Sequence, residues 1–233
     1  MFYLFMRHEK RAKEPIIDIK VLTGRPFQAA NYFNLIYGAG ILGIMSFVPL
    51  YATSVLGMST LASGLILTPR SVGQLLASTV TSVKLPKWGY RGPMLAGTSL
   101  AVVALILLGF EFSGIRLPGM QLSATVLLGV FMFLAGFGAG SVAPASNNAC
   151  IELMPNRIAT ITGVRGMFRQ IGSAFSIAVS AMVLQNFSNI GAGFRMVFFG
   201  LAVILALSIP FIFIMPRSAT DTCTPEKAKR TTG

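Results

Sequence analysis

The 233-residue chain is 54% hydrophobic and only 11% charged, which excludes a water-facing globule and indicates an integral membrane protein. Its net charge of +12 comes from cations grouped between apolar runs, an arrangement typical of membrane-flanking loops rather than of nucleic-acid binding. Two distant cysteines, Cys150 and Cys223, provide neither a disulfide framework nor metal-binding spacing.

In chain order, the apolar runs predict an all-α protein with six membrane-spanning helices. The runs have the length of one bilayer crossing, and they are continuously apolar rather than alternating, which favours helices over barrel strands. The spans are predicted at residues 28–55, 61–83, 93–112, 121–149, 158–185 and 194–215. Residues 1–27 are expected to form a cytoplasmic connector, with 1–6 as the tail of a preceding span, and 216–233 a cytoplasmic tail.

The distribution of Lys and Arg between the predicted spans indicates an orientation. Fourteen of these residues fall in the two terminal segments and in the second and fourth connections, and two fall in the other connections. Because positively charged loops remain in the cytoplasm, both termini are predicted to be cytoplasmic in a multi-pass protein of the cell membrane.

The second predicted span carries a cation at membrane depth. Arg70 follows Pro69 and lies about nine residues into the span, or ~13 Å at 1.5 Å per residue. One interpretation is that its guanidinium hydrogen-bonds a carbonyl freed by the proline. The other, which we favour, is that Arg70 points into a central cavity, because an arginine in hydrocarbon is costly.

The fourth predicted span contains closely spaced glycines and a proline. Gly136 and Gly140 have the G-x-x-x-G spacing that lets helices approach closely, and the glycines from Gly38 to Gly43 in the first span are interpreted in the same way. Pro144 is expected to bend the helix where Asn147 and Asn148 can supply polar partners.

The fifth predicted span has one polar and small-residue face. Its members recur at intervals of three and four, which places them on one side of a helix, and they are Arg165, Arg169, Gly172, Ser173, Ser176 and Ser180. A cavity-facing role is predicted for the two arginines. An anchor at the membrane interface is the alternative, and it suits Arg165 better because that residue is nearer the cytoplasmic end.

Acidic residues and histidine are scarce within the spans. Glu111, near the outer end of the third span, is the one carboxylate there, and His8 is the one histidine of the chain. Catalytic and metal-binding sets cannot be assembled at membrane depth from these residues. We therefore predict no enzyme activity and no cofactor.

These segments resemble the fourteen-span drug:proton antiporters of the major facilitator superfamily, of the EmrB/QacA type. The Pro-Arg-x-x-Gly element at Pro69, Arg70 and Gly73 is similar to one in the family's tenth span. The Arg-Gln-x-Gly element at Arg169, Gln170 and Gly172 is similar to one in the thirteenth. The loop from Ser82 to Arg91 resembles the family's gating loop in Lys87, Gly89 and Arg91, although Pro86 stands where an acidic residue is expected.

The resemblance implies one major-facilitator-type half bundle, the C-terminal half of a multidrug efflux permease. The chain is then expected to be truncated or split, and to pair with a separate N-terminal half or a second copy of itself. The implied substrate is a hydrophobic or cationic small molecule moved across the lipid bilayer, with Arg70, Arg165, Arg169, Gln170, Ser173 and Ser176 in the cavity. An inactive membrane remnant, or a partner-binding scaffold without transport, is the alternative.

Overall fold

In the computed structural model, residues 25–110, 116–117, 120–121, 124–153 and 158–215 are described. The described part is mostly helical. The helices are α1 (Arg25–Ser54), α2 (Thr60–Leu65), α3 (Leu67–Trp88), α4 (Arg91–Gly109), α5 (Ala124–Leu153), α6 (Ile158–Gln185), α7 (Ile190–Ala206) and α8 (Ile209–Ile214). Two short strands, β1 (Arg116–Leu117) and β2 (Met120–Gln121), pair antiparallel between α4 and α5. The predicted connector and tail lie outside the described residues, apart from the start of α1.

Two predicted spans are each divided into two helices near a proline. Pro69 has no N–H to donate to the carbonyl of Leu65, and α2 ends there. Ile66 keeps right-handed helical dihedrals of φ −61° and ψ −23°, so the interruption is local. Pro210 acts in the same way between α7 and α8, where the Ser208 hydroxyl donates to the carbonyl of Leu205 at 2.7 Å.

The helix ends differ from the predicted spans in several places. The expectation of a loop from Ser82 to Arg91 has to be corrected. The helix α3 continues through Pro86 to Trp88, and only Gly89 and Tyr90 connect it to α4. Gly89 permits this tight connection because its φ is +67°, which favours glycine. In contrast, α5 runs continuously through Pro144 to Leu153, four residues past the predicted end.

Five helical segments of the described residues are long and apolar enough to cross a membrane. They are Phe27–Ser54, Arg91–Gly109, Thr125–Glu152, Ile158–Gln185 and Ile190–Ile214. The helix α3 is long enough but less apolar, because it contains Arg70, Lys84 and Lys87.

The bundle is built from two tightly packed helix pairs joined through α4 and α7. In one pair α5 packs along α3, and in the other α1 packs along α6. The helix α5 also packs on α4, which in turn packs on α7, and α7 contacts α1. The core between these helices contains large buried side chains, among them Phe33, Met94, Met132, Phe194 and Phe198.

Glycine sets the closest approach within both pairs. A Cβ atom at Gly136 of α5 would collide with the backbone carbonyl of Arg70, and one at Gly140 with that of Gln74. In the second pair, a Cβ at Gly38 of α1 would meet the carbonyl of Arg169, and one at Gly172 of α6 that of Leu35. At these glycines the backbones of the paired helices are therefore in direct contact.

Substitution of Gly136 by alanine should lower stability, because the added Cβ must push α5 away from α3. The expected loss is about 1–3 kcal/mol, the range for overpacking a close contact. The measurement is the apparent Tm of the purified protein in detergent, from the folded fraction recovered by size exclusion after heating.

Gly163→Ala is the matched control, because no atom lies within 4 Å of a Cβ built at that position of α6. It should leave the apparent Tm unchanged or raise it slightly, since alanine favours a helix interior over glycine. Equal loss in the two variants would contradict the close-packing explanation.

Candidate functional site

Polar side chains from three helices and a backbone carbonyl from a fourth interact with one another at Tyr37 of α1. The Tyr37 hydroxyl is buried and donates to the backbone carbonyl of Ala139 in α5 at 3.2 Å. The phenol interacts electrostatically with Arg70 of α3 and with Arg165 and Arg169 of α6. Three cations therefore act electrostatically on one buried tyrosine inside the bundle.

Arg70 is buried and interacts electrostatically with Tyr37. Its side chain is only 5% exposed, and its guanidinium forms no hydrogen bond or ion pair with any residue in the described ranges. The bond to a carbonyl freed by Pro69, which local kink-capping requires, is not formed. Arg70 lies ten residues after the start of α2, about 15 Å along the helix direction, which is deep within the span.

Arg169 is held by its aliphatic stem rather than by its charge. Its Cγ and backbone lie against Gly38 of α1, so the depth of the side chain is set by the α1–α6 contact. The Nε atom is buried and has no hydrogen-bond partner within the described part of the chain. Arg169 therefore has at least one buried donor that the described helices do not pair.

Arg165 differs because its guanidinium is engaged. Its Nε donates to Oδ1 of Asn34 at 3.0 Å, and its Nη1 donates to Oδ1 of Asn147 at 2.8 Å. Asn34 is fully buried and also donates to the carbonyl of Ala30 at 2.7 Å. Arg165 thus connects α6 to α1 and α5 through neutral amides.

The remaining predicted members of the α6 face are divided by exposure. Gly172, Ser173, Ser176 and Ser180 are buried, whereas Gln170 is exposed on another side of the helix. The Ser176 hydroxyl is buried without a hydrogen-bond partner among the described residues, and it lies close to Gly43. Beside it, α1, α6 and α7 enclose an apolar groove of about 570 Å³.

The residues of the predicted gating loop lie at the junction of α3 and α4. Their hydrogen bonds are to residues other than Tyr37 and the three arginines that interact with it. Lys87 is exposed, and Arg91 donates through Nε and Nη2 to the carbonyl of Met215 at 2.8 and 2.6 Å. The Tyr90 hydroxyl donates to Oε1 of Glu152 at the end of α5. Burial, together with that bond and the charge of Glu152, raises the pKa of the Tyr90 phenol.

The described residues contain little else with chemical reactivity. Glu152 is the one carboxylate within the described ranges, and in those ranges no three His, Cys, Asp or Glu side chains group as metal ligands do. Sequence reasoning missed Tyr37 and Asn34, although their spacing from Ala30 places all three on one face of α1. Each looked like an isolated polar residue in an apolar span.

Comparisons with known proteins agree on one family. The sequence model of the Major Facilitator Superfamily matches residues 31–232. The chain is 28% identical over 192 residues to Multidrug resistance protein 3 of Bacillus subtilis, covering 81% of this chain and 36% of that protein. It is 28% identical over 225 residues to Quinolone resistance protein NorB of Staphylococcus aureus, covering 95% of this chain and 47% of that protein.

A solved structure shares the fold. It is described as a bacterial homologue of the human drug peptide transporters PepT1 and PepT2, and it aligns with a TM-score of 0.67 at 15% identity. The alignment covers 80% of this chain and 41% of that one. The chain thus spans less than half the length of each of these three proteins.

Replacement of Arg165 by glutamine should destabilise the bundle, because it removes the guanidinium Nε and Nη1 donors that bind Asn34 and Asn147. Loss of a partner that leaves a buried polar group unpaired costs about 1–3 kcal/mol. A lower apparent Tm in detergent is the expected result. Arg195→Gln is the matched control, because Arg195 is exposed and touches only the Phe199 ring face, 6.0 Å from its centroid. Equal apparent Tm values for the two variants would show that the amide bridge contributes nothing.

Proposed function

Because this chain belongs to the Major Facilitator Superfamily, we propose that it forms one wall of the translocation pathway of a drug exporter in the cell membrane. The observation that carries the proposal is the pair of deep arginines, Arg70 and Arg169, which no group in the described helices pairs. Charged side chains at membrane depth face a protein interior or a water-filled cavity, and they mark substrate pathways. Relatives named for multidrug and quinolone resistance support export of a small, largely apolar drug.

We further propose that the chain is one six-span half of a larger transporter, the C-terminal half of a fourteen-span protein of the EmrB/QacA type. In this proposal α2 and α3 act as one span, as do α7 and α8. The fraction of each relative that the chain covers, between 36% and 47%, supports a half. Transporters of this superfamily bind substrates between two such halves, so a separate N-terminal half or a second copy would form the other wall.

The two helices that would meet the other wall have largely apolar exposed faces. On α3 this face includes Val72, Leu75, Leu76, Val80 and Val83. On α6 it includes Met167, Ile171, Phe175, Val179 and Met182. Most residues of each face lie two, six or thirteen positions from the arginine, so the face points away from the side of the helix that carries Arg70 or Arg169.

Efflux should depend on the two unpaired arginines. In pump-deficient cells that express the chain together with a matching N-terminal half, Arg70→Gln and Arg169→Gln should each lower the rate of drug efflux by at least ~10-fold, the scale of one charge-assisted hydrogen bond. The measurement is loss of a preloaded fluorescent quinolone at equal membrane expression. Arg195→Gln should behave like the unchanged protein.

Two outcomes would count against this function. Unchanged efflux in both arginine variants would remove Arg70 and Arg169 from the pathway. No efflux in any combination, despite correct membrane insertion, would favour an inactive remnant or a scaffold.

We also propose that both termini are cytoplasmic, with the β1–β2 hairpin outside. An alkaline phosphatase fused after Gly233 should be inactive, because the enzyme folds only outside the cytoplasm, whereas a fusion after Gln121 should be active. The readout is phosphatase activity in intact cells, normalised to the amount of fusion protein. Activity after Gly233 would reverse the proposed orientation.

A further inference from the structure

The charged groups that interact with Tyr37 in the described helices all have the same sign. Arg70, Arg165 and Arg169 lie around Tyr37, and no carboxylate faces them among the described residues. The one described carboxylate, Glu152, accepts from Tyr90 at the end of α5. Among the described residues, the groups that interact with Tyr37 are therefore positively charged and include no carboxylate that would attract a cation.

The other acidic residues of the chain lie outside the described residues. The chain has seven acidic residues, and the other six are Glu9, Glu14, Asp18, Glu111, Asp221 and Glu226. A second copy of the chain would therefore add further arginines and, within its described helices, no carboxylate other than Glu152.

The three arginines are not equivalent in what they can bind. Arg165 already uses Nε and Nη1 on Asn34 and Asn147, so it is committed within the bundle. Arg70 is 5% exposed and donates no hydrogen bond to a described residue, and the buried Nε of Arg169 has no hydrogen-bond partner among them. A buried guanidinium without an anion or acceptor is costly, and a carboxylate satisfies it best through two parallel hydrogen bonds.

We propose that Arg70 and Arg169 recognise the carboxylate of an apolar organic acid. This proposal rests on the proposed transport function, and it assigns the charge of the substrate. Their helices fix both arginines against glycines of the paired helix, Gly136 for Arg70 and Gly38 for Arg169, so the side chains start from rigid backbone positions. Such preorganised donors bind an anion with little loss of conformational entropy.

The body of the ligand must be apolar. The surrounding spans expose aliphatic and aromatic side chains, and the polar groups near the arginines are already used. The Tyr37 hydroxyl donates to Ala139, and Asn34 donates to Ala30. Selection therefore depends on one anionic group on a hydrophobic frame, which differs from the cationic compounds that the sequence resemblance implies.

The test is equilibrium binding to the full chain in lipid nanodiscs. The probe is a quinolone that has a carboxylate but no basic amine, and it is compared with its methyl ester, which has the same frame without the charge. We expect the acid to bind at least ~10-fold more tightly than the ester, the scale of one charge-assisted pair. Tetraphenylphosphonium serves as the apolar cation and should bind more weakly than the acid.

Single-residue variants test whether Arg70 and Arg169 cause the preference for the acid over the ester. Arg70→Gln and Arg169→Gln should each remove most of the preference for the acid while leaving ester binding unchanged, and Arg70→Lys should retain part of it because lysine keeps the charge but loses the planar fork. Arg195→Gln should keep the full preference. If a glutamine variant fails to yield folded protein, the acid and ester affinities of the unchanged chain decide the question.

Several results would overturn the proposal. They are equal affinities for acid and ester, tighter binding of tetraphenylphosphonium, no measurable binding of the acid, or a preference for the acid that survives both glutamine substitutions. The proposed function fails separately. Preference for the acid without efflux would retain the anion site and remove transport, whereas efflux of acid and ester at equal rates would retain transport and remove the anion site.

Discussion

A guanidinium within a membrane must find an acceptor, an anion or water, because hydrocarbon solvates it poorly. This constraint organises the interior of the described bundle. Arg165 meets it inside the chain through Asn34 and Asn147, and in doing so it ties α6 to α1 and α5. Arg70 and Arg169 do not meet it inside the described structure, which is why we assign them to a ligand.

Both unpaired arginines lie in the same local arrangement. Each begins an Arg-x-x-Gly sequence, Arg70 to Gly73 in α3 and Arg169 to Gly172 in α6. In each case the arginine backbone touches a glycine of the paired helix, and the following glycine touches that helix in return, at Phe133 for Gly73 and at Leu35 for Gly172. The close contact keeps the charge at a set depth, so packing and recognition depend on the same few residues.

At the α3–α4 junction, in contrast, Arg91 and Glu152 each have a hydrogen-bond partner within the chain. Arg91 closes onto the last carbonyl of the α8 region, and Tyr90 holds Glu152 of α5. These bonds link α4 to the ends of two other helices. These attachments suit a bundle whose helices move together as one body.

The membrane location, the helical class and the family could be predicted from the amino-acid sequence, because apolar run length, charge placement and the two arginine elements are all local properties of the chain. It also indicated the close approach at Gly136 and Gly140. It misjudged the segment from Ser82 to Trp88, where Pro86 and two lysines suggested a loop although the helix continues.

Only the tertiary structure decided how the three arginines differ. Arg165 and Arg169 are one turn apart on the same face of α6. They are the same residue type in the same kind of helical position, so the sequence does not distinguish them. The two arginines differ in the residues of the neighbouring helices that they contact. Asn34 and Asn147 accept hydrogen bonds from Arg165 through their amide oxygens, whereas Arg169 lies against the backbone of Gly38. Those neighbours are distant in sequence, so no local pattern contains the information.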